Sequence, residues 1–599
     1  MKPSTPKIDL QPSTQLRKVV FRGSLGLLFV ALTLSACRYC LHGSVVDVTH
    51  FGAVPDDGKD DTAAFLAAFH EAQSHGGRVI RIPRGRYNLR AEGDCLRAEG
   101  NLGSRNPLFF LTNLDGLIIR GEGAELMMSG NSTIFAFKEC KNITLKGVTV
   151  DWERPPFSQG TVIATAPEHF DVQVESGFPV QGGEPIAAFM SYDPVTRLPA
   201  GANLDVGDVV ERTELISPQV LRIHLKQNIL VPVGALLVLR HQVSGYGPLI
   251  NFIRCADVRV SDVIVYTAPG AGLVGYVSTN ISLKRFNVRL RPGSGRLMSN
   301  TVDATHFSGC KGTVSLEDCT LEGMGDDGVN INSGSYLTVL QRLDGHTVLC
   351  QRSTLTDAGE LMEMSHPDTL LPFSTGVVKS FSLEPGTNNQ SRLTFESPLP
   401  VELRTGDLLA NVSRVARLRM RHCTVRANRA RGVLCHTRDA VIEDCAFRNC
   451  TSAGVLVLAD AGWFYVSIGA RNVSVRNNLF ENCNQGAATA EGALAVLAWL
   501  KSWAYPSKPG VHRDVRFEGN QIIGSANSAI FAVGVDGLTI RRNTIEQACL
   551  KPTRESGRNA IRVMDCARVT VAGNNIDPKK QGNSMEEAVR MTGVDAAKP

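Results

Sequence analysis

Through most of the chain, apolar residues recur at every second position in short runs broken by one or two polar residues. The unit is an apolar pair i, i+2, a bend, then a second pair, as in Val258-Val260-Val263-Val265 and Ile281-Leu283-Phe286-Val288. It recurs at Ile143-Leu145-Val148-Val150, Val314-Leu316-Cys319-Leu321, Leu418-Met420-Cys423-Val425, Ala440-Ile442-Cys445-Phe447 and Val473-Val475-Asn478-Phe480. Val515-Phe517-Asn520-Ile522, Leu538-Ile540-Asn543-Ile545 and Val569-Val571-Asn574-Ile576 complete the series. Period-2 alternation predicts short strands with one apolar face. The closest copies start 22 or 23 residues apart. A fixed period of that length predicts a solenoid whose coils bury their inner faces on one another. The Asn or Cys falls at the inward bend, so like residues should stack from coil to coil. The predicted class is all-β: a right-handed parallel β-helix.

Two stretches lack the repeat, 155–247 and 336–414, and both leave and rejoin it at a rung. They read as small inserted β modules. The chain then divides into a leader (1–36), an N-terminal cap with the first coils (37–154), and the first insert. Coils at 248–335, the second insert and C-terminal coils with a tail (415–599) follow. Val46–Ala53 reads as a first strand. Asp60-Asp61-Thr62 offers capping groups for an amphipathic helix over Ala63–His75, stopped by Gly76-Gly77. Such a helix would close one open end of the solenoid. Ala495–Pro509, with Trp499, Trp503 and Tyr505, reads as a shorter excursion.

Charge sharpens this picture at the start of the chain. Of the net +5 over 599 residues, +4 lies in the first 36: Lys2, Lys7, Arg17, Lys18 and Arg22 against Asp9. The remainder is near neutral and has no basic run, which argues against a nucleic-acid partner. Basic residues followed by the apolar run Leu25–Leu34 and then Leu34-Ser35-Ala36-Cys37 form a secretory signal ending in a lipobox-like site. Cys37 is thus expected to carry lipid. With Arg38 rather than Asp next, the expected destination is the outer membrane of a Gram-negative cell, through an N-terminal lipid anchor. The chain has fifteen cysteines, and several fall at the repeat's bend position; most read as small buried apolar side chains rather than a disulfide framework.

One cluster carries chemistry. Asp303, in Asn300-Thr301-Val302-Asp303-Ala304-Thr305-His306, lies 23 residues, one coil, before Asp326-Asp327 in Gly323-Met324-Gly325-Asp326-Asp327-Gly328-Val329-Asn330. Coils stack about 4.8 Å apart, so the three carboxylates should be neighbours. Mutual repulsion would raise at least one pKa and keep a proton near neutral pH, the condition for glycosidic hydrolysis. The residues alone also allow a turn or a cation site, as at Asp56-Asp57-Gly58, which reads as a turn.

The Asp303…Asp326-Asp327 layout resembles the polygalacturonase clan of β-helix glycosidases. It is most similar to glycoside hydrolase family 110, the exo-acting α-1,3-galactosidases. The segments that carry the resemblance are Phe51–Gly58, Asp151-Trp152-Glu153-Arg154-Pro155, Asp303–Phe307 and Glu322–Asn330. The resemblance implies an inverting hydrolase acting on glycans with terminal α-1,3-linked galactose, of blood-group-B type or linear. It implies Asp326 as general acid, Asp303 and Asp327 as holders of the attacking water, and no cofactor or metal. The family's Trp-x-Glu-Ser-Gly-like stretch is replaced here by Trp463–Gly469 without an acid, so a galactose contact would differ. The Gly-His-Gly and Arg-Ile-Lys of polygalacturonases do not occur.

Trp152 and Trp463 are candidate sugar-stacking residues, each with packing as the alternative. Asn330 is a candidate hydroxyl ligand. Counting by twos from Asp303 puts His306 on the opposite face, a structural position. Competing readings are a β-helix polysaccharide lyase, another exo-glycosidase, and a non-catalytic glycan-binding surface protein.

Overall fold

The computed structural model describes residues 45–596 apart from 76–77, 92–106, 131, 201–204, 242–246, 352–355, 388, 467, 486–491 and 553–554. The leader, Cys37 and the Gly76-Gly77 helix stop lie outside the described residues. The chain winds as a right-handed parallel β-helix. Each repeat unit supplies two short strands to a 22-stranded sheet, and a third strand per coil builds a 12-stranded sheet. Ala256–Val265 pairs in parallel with Thr279–Val288 in the register of the sequence motif, Val258 beside Ile281 and Val265 beside Val288. The inner faces of both sheets merge into one continuous apolar core.

The bend inside each unit explains the recurring Cys and Asn. The preceding residue takes a left-handed conformation, as at Asp262, Asp318, Asp444 and Asn477, which turns the chain without breaking the stack. Along the C-terminal coils this bend carries an asparagine ladder. The backbone N–H groups of Cys445, Asn478, Asn520 and Asn543 donate to the Oδ1 of Asn478, Asn520, Asn543 and Asn574 at 2.9–3.1 Å. Each of these amides also returns a hydrogen bond to a carbonyl further along the stack, Asn520 Nδ2 to Val475 O for instance. Buried backbone groups freed by the bend are thereby satisfied. Twelve described cysteines are buried and unbridged.

A helix over Thr62–Ser74 covers the first coil. Phe65 and Phe69 pack on Tyr87 and Phe109, whose rings lie 5.2 and 3.9 Å away respectively. The two acids ahead of the helix divide the work. Asp60, not Asp61, accepts the Thr62 N–H, while Asp61 ties the loop down by accepting from Val54 and Asn88.

Between 155 and 247 the chain forms a seven-stranded antiparallel sheet from Phe157–Ala166 to Leu236–Arg240, with its own apolar core. Between 336 and 414, six strands from Leu337–Arg342 to Leu408–Asn411 close into a barrel. The first of these modules leans on the loop after Val288. Leu297 and Met298 enter its core, and Asp151, wholly buried, holds that loop through Arg291 and Arg296 at 2.8 and 2.6 Å. In the 495–509 stretch, residues up to Trp499 belong to an ordinary rung, Gly492–Trp499, and the excursion from the stack starts only after it.

Candidate active site

Asp303, Asp327 and Arg431 hold equivalent places on three successive coils, each just ahead of a strand: Thr305–Ser308, Val329–Asn332 and Val433–His436. The backbone fixes this column. Ala304 N–H donates to Asp327 O at 2.9 Å, and Gly328 N–H to Arg431 O at 3.0 Å. The coils approach so closely that side chains are excluded beside the acids. A Cβ on Gly328 would stand 2.5 Å from Gly432 O, and one on Gly325 2.3 Å from Thr301 O. The Gly-Asp-Asp-Gly sequence is therefore what lets two consecutive carboxylates sit on a tightly stacked coil.

The three carboxylates converge, with one oxygen of each within 4.8 Å of the others. Asp303 Oδ1 accepts from Asp327 N–H at 3.1 Å and its Oδ2 meets His306 Nδ1 at 2.8 Å. Asp327, buried, accepts from Arg431 N–H on one oxygen and from the Arg431 guanidinium on the other, at 3.0 and 2.9 Å. Asp326 is the most open of the trio, about one-third exposed, with Arg429 Nη1 at 3.2 Å. Burial and the neighbouring Asp303 push its carboxyl up to about 6, against the pull of Arg431 and Arg240. Burial holds the Asp327 carboxyl well above the carboxylate range even with Arg431 beside it. Arg240, from the last strand of the seven-stranded sheet, donates to Thr301 O and Gly325 O, so that module braces both acid-bearing loops.

Such a group can share protons among carboxyls, donate one to a leaving oxygen and orient a water. A hard cation instead takes six to eight oxygens, whereas here Arg429 and Arg431 already occupy carboxylate oxygens and Arg240 lies close by. The donor set fits proton transfer better than a resident ion.

The other predicted contacts fare unevenly. Asn330 lies in the site, its Nδ2 3.4 Å from Asp327 Oδ2 and its Oδ1 accepting from Asn332. Trp463 is 63% exposed, its ring edge-on to Trp503 at 5.1 Å. Its loop is pinned by Asp460, which accepts from the N–H groups of Gly462, Trp463 and Phe464. Tyr336 N–H donates to Tyr465 O, joining this loop to the segment beyond Asn332. Trp152 is a correction: only 2% exposed, it packs in the β-helix core with Nε1 donating to Gly130 O, and cannot stack on a sugar. A cavity of about 500 Å³ on the N-terminal coils is lined by Asp56, Lys59, Arg86, Arg90, Met127 and Glu153, among others, and by none of the trio.

No family model matches the chain. Curated proteins do. α-1,3-Galactosidase B of Bacteroides thetaiotaomicron is 27% identical over 585 residues, spanning 91% of this chain and 93% of that protein. α-1,3-Galactosidase A of Shewanella woodyi is 26% identical over 558 residues, spanning 88% and 90%. This chain is a relative of the α-1,3-galactosidases. The resemblance read from its Asp segments holds, and with it the enzyme class, glycoside hydrolase. α-1,3-Galactosidase B of Akkermansia muciniphila matches at 26% identity over 90% of this chain and 70% of its own. Among solved structures, the Agl-KA catalytic domain aligns over 92% of this chain and 69% of its own, at 12% identity and a TM-score of 0.45.

Sequence reasoning put His306 on the wrong face and missed Arg240, Arg429 and Arg431. His306 faces Asp303 because Asp303 precedes its strand, so counting by twos from it does not apply. Arg431 is 104 residues from Asp327, with the barrel between. Its signal was local: Asp327-Gly328-Val329, Arg431-Gly432-Val433 and Ala453-Gly454-Val455 are one repeated triplet.

Proposed function

We propose that this protein removes terminal α-1,3-linked galactose from glycans with inversion, using Asp326 as general acid and Asp303 with Asp327 as the pair that holds the water, Asp303 taking its proton. The observation that carries the reading is the difference among the three carboxyls. Asp326 alone is open to solvent and held near a pKa of about 6, suited to protonating a leaving oxygen near neutral pH. Asp303 and Asp327 each have both oxygens engaged by donors, which suits them to orienting a water on their remaining lone pairs. Kinship with α-1,3-galactosidases across nearly the whole chain supports the substrate. Asn330 would meet a galactose hydroxyl, and Trp463 would stack on the acceptor side of the glycan.

A second reading comes from spacing. Inverting pairs usually stand about 6.5–9.5 Å apart and retaining pairs about 5–5.5 Å, and facing oxygens within 4.8 Å of one another, a shorter distance than that between the carboxyl groups themselves, fit the retaining range as well. In that case one Asp attacks the sugar and a galactosyl-enzyme forms. The hydrogen bonds that already engage both oxygens of Asp303 and of Asp327 weigh against either as nucleophile.

The test is galactose release from defined α-1,3-, α-1,4- and α-1,6-galactosides by the wild type and by Asp303→Asn, Asp326→Asn and Asp327→Asn, with and without chelator. Release from the α-1,3 substrate alone, at least ~10³-fold lower in each folded variant and indifferent to chelator, is expected from the loss of an acid or base. Unimpaired variants or loss on chelation would overturn the reading. For location, we propose export and lipidation at Cys37. Cys37→Ser should move the protein from the membrane to the soluble fraction of the producing cells; an unchanged distribution would refute the anchor.

A further inference from the structure

We propose that His306 is the positioning residue for Asp303, and that Asn332 clamps it in one neutral tautomer. The inference rests on the reading of Asp303 as base, but its geometry can be followed atom by atom from a group whose role is beyond choice. A backbone N–H can only donate. Gly334 N–H lies 3.0 Å from one atom of the Asn332 amide, so that atom is Oδ1. Ser308 Oγ, at 2.8 Å, donates to the same oxygen. The other end of the amide is therefore Nδ2, which only donates. It faces His306 Nε2 at 3.2 Å and Asn330 Oδ1 at 3.1 Å.

His306 Nε2 must then offer a lone pair, and the single ring proton sits on Nδ1. That proton points at Asp303 Oδ2, 2.8 Å away. The hydrogen bonds run one way, from Gly334 through Asn332 and His306 to Asp303. An imidazolium would set Nε2–H against the Asn332 Nδ2–H, two donors face to face. The ring thus orients Asp303 without neutralising it. This matters for a base, because a cation at the same distance would favour the ionised carboxylate and weaken its pull on a proton.

The charged and titratable groups around the ring are consistent with a clamp. Asp303 lies on its own coil and Asp326 and Asp327 on the next. Arg431 and His436 come from the coil after, and the buried His436 ring is held neutral, its pKa pushed down to about 3 by burial and Arg431. The Asn332 amide is the group that fixes which ring nitrogen carries the proton.

The test is ¹⁵N NMR of the full-length enzyme labelled at histidine, with His306→Ala to assign the signals. A pyrrole-type Nδ1 and a pyridine-type Nε2 are expected at pH 8. The opposite tautomer, or an imidazolium at that pH, would overturn the proposal whatever the activity. In kinetics, Asn332→Asp should turn the ring, lower kcat by ~10- to 100-fold, up to the lower end of the general-base contribution, leave KM within about twofold and displace the acid limb of the kcat profile. A change confined to KM or to stability would also overturn it. A wild type that shows the expected tautomer yet releases no galactose would instead remove the functional reading and leave the clamp standing.

Discussion

At the scale of single residues, the site works by giving three identical side chains different surroundings. Asp326 and Asp327 are adjacent in sequence, yet one is a third exposed and the other almost wholly buried against Arg431. Because the Asp326 carboxyl is pushed up to about 6, kcat should fall as pH rises through about 6 and the acid loses its proton; a profile flat from pH 5 to pH 8 would exclude Asp326 as the acid. The same shift has a stability consequence of definite sign. A carboxyl with a raised folded pKa costs the folded state as it ionises, between its unfolded value near 4 and about 6. Asp326→Asn should therefore gain in thermal stability relative to the wild type as pH rises across that window, trading activity for stability. Arg431 carries the opposite burden. Arg431→Gln leaves Asp327 buried without its partner, and a loss of roughly 3–5 kcal/mol is expected on thermal or denaturant unfolding, larger at pH 8 than at pH 5.

At the scale of elements, the rung is the unit that sequence reveals best, and its parity decides what is legible. Val148, Val150 and Trp152 share a parity, which already put the Trp152 ring among the core residues; reading it as a sugar platform ignored that alternation. Asp303 stands before its strand begins, so parity could not be applied there and His306 was assigned to the wrong face. The Asn ladder shows how an element holds itself together. Asn520→Ala would strip partners from Asn478 N–H and Val475 O in the core, at about 1–3 kcal/mol for each buried group left unpaired. A stability loss of about 2–5 kcal/mol with unchanged KM is expected on chemical denaturation. A neutral variant would mean that the ladder only marks the bend.

At the scale of the whole molecule, the β-helix is a register device. One turn of 22–23 residues converts a sequence separation into a stacking distance, which is why Asp303 and Asp326-Asp327 could be paired from the sequence alone. The inserted modules defeat that arithmetic, because a barrel within one coil moves Arg431 more than a hundred residues from the acid it meets. They also build the site: the seven-stranded sheet sends Arg240 under both acid loops, and the barrel begins where Asn332 and Gly334 orient His306. Under the proposed function these parts serve one reaction, cleavage of an α-galactoside by direct displacement with water between the three carboxylates. Proton NMR of the first sugar released from a terminal α-1,3-galactoside decides whether that is so. β-Galactose appearing first from the wild type, and no sugar from folded Asp326→Asn, is the predicted result; α-galactose first, or undiminished release by that variant, would contradict it.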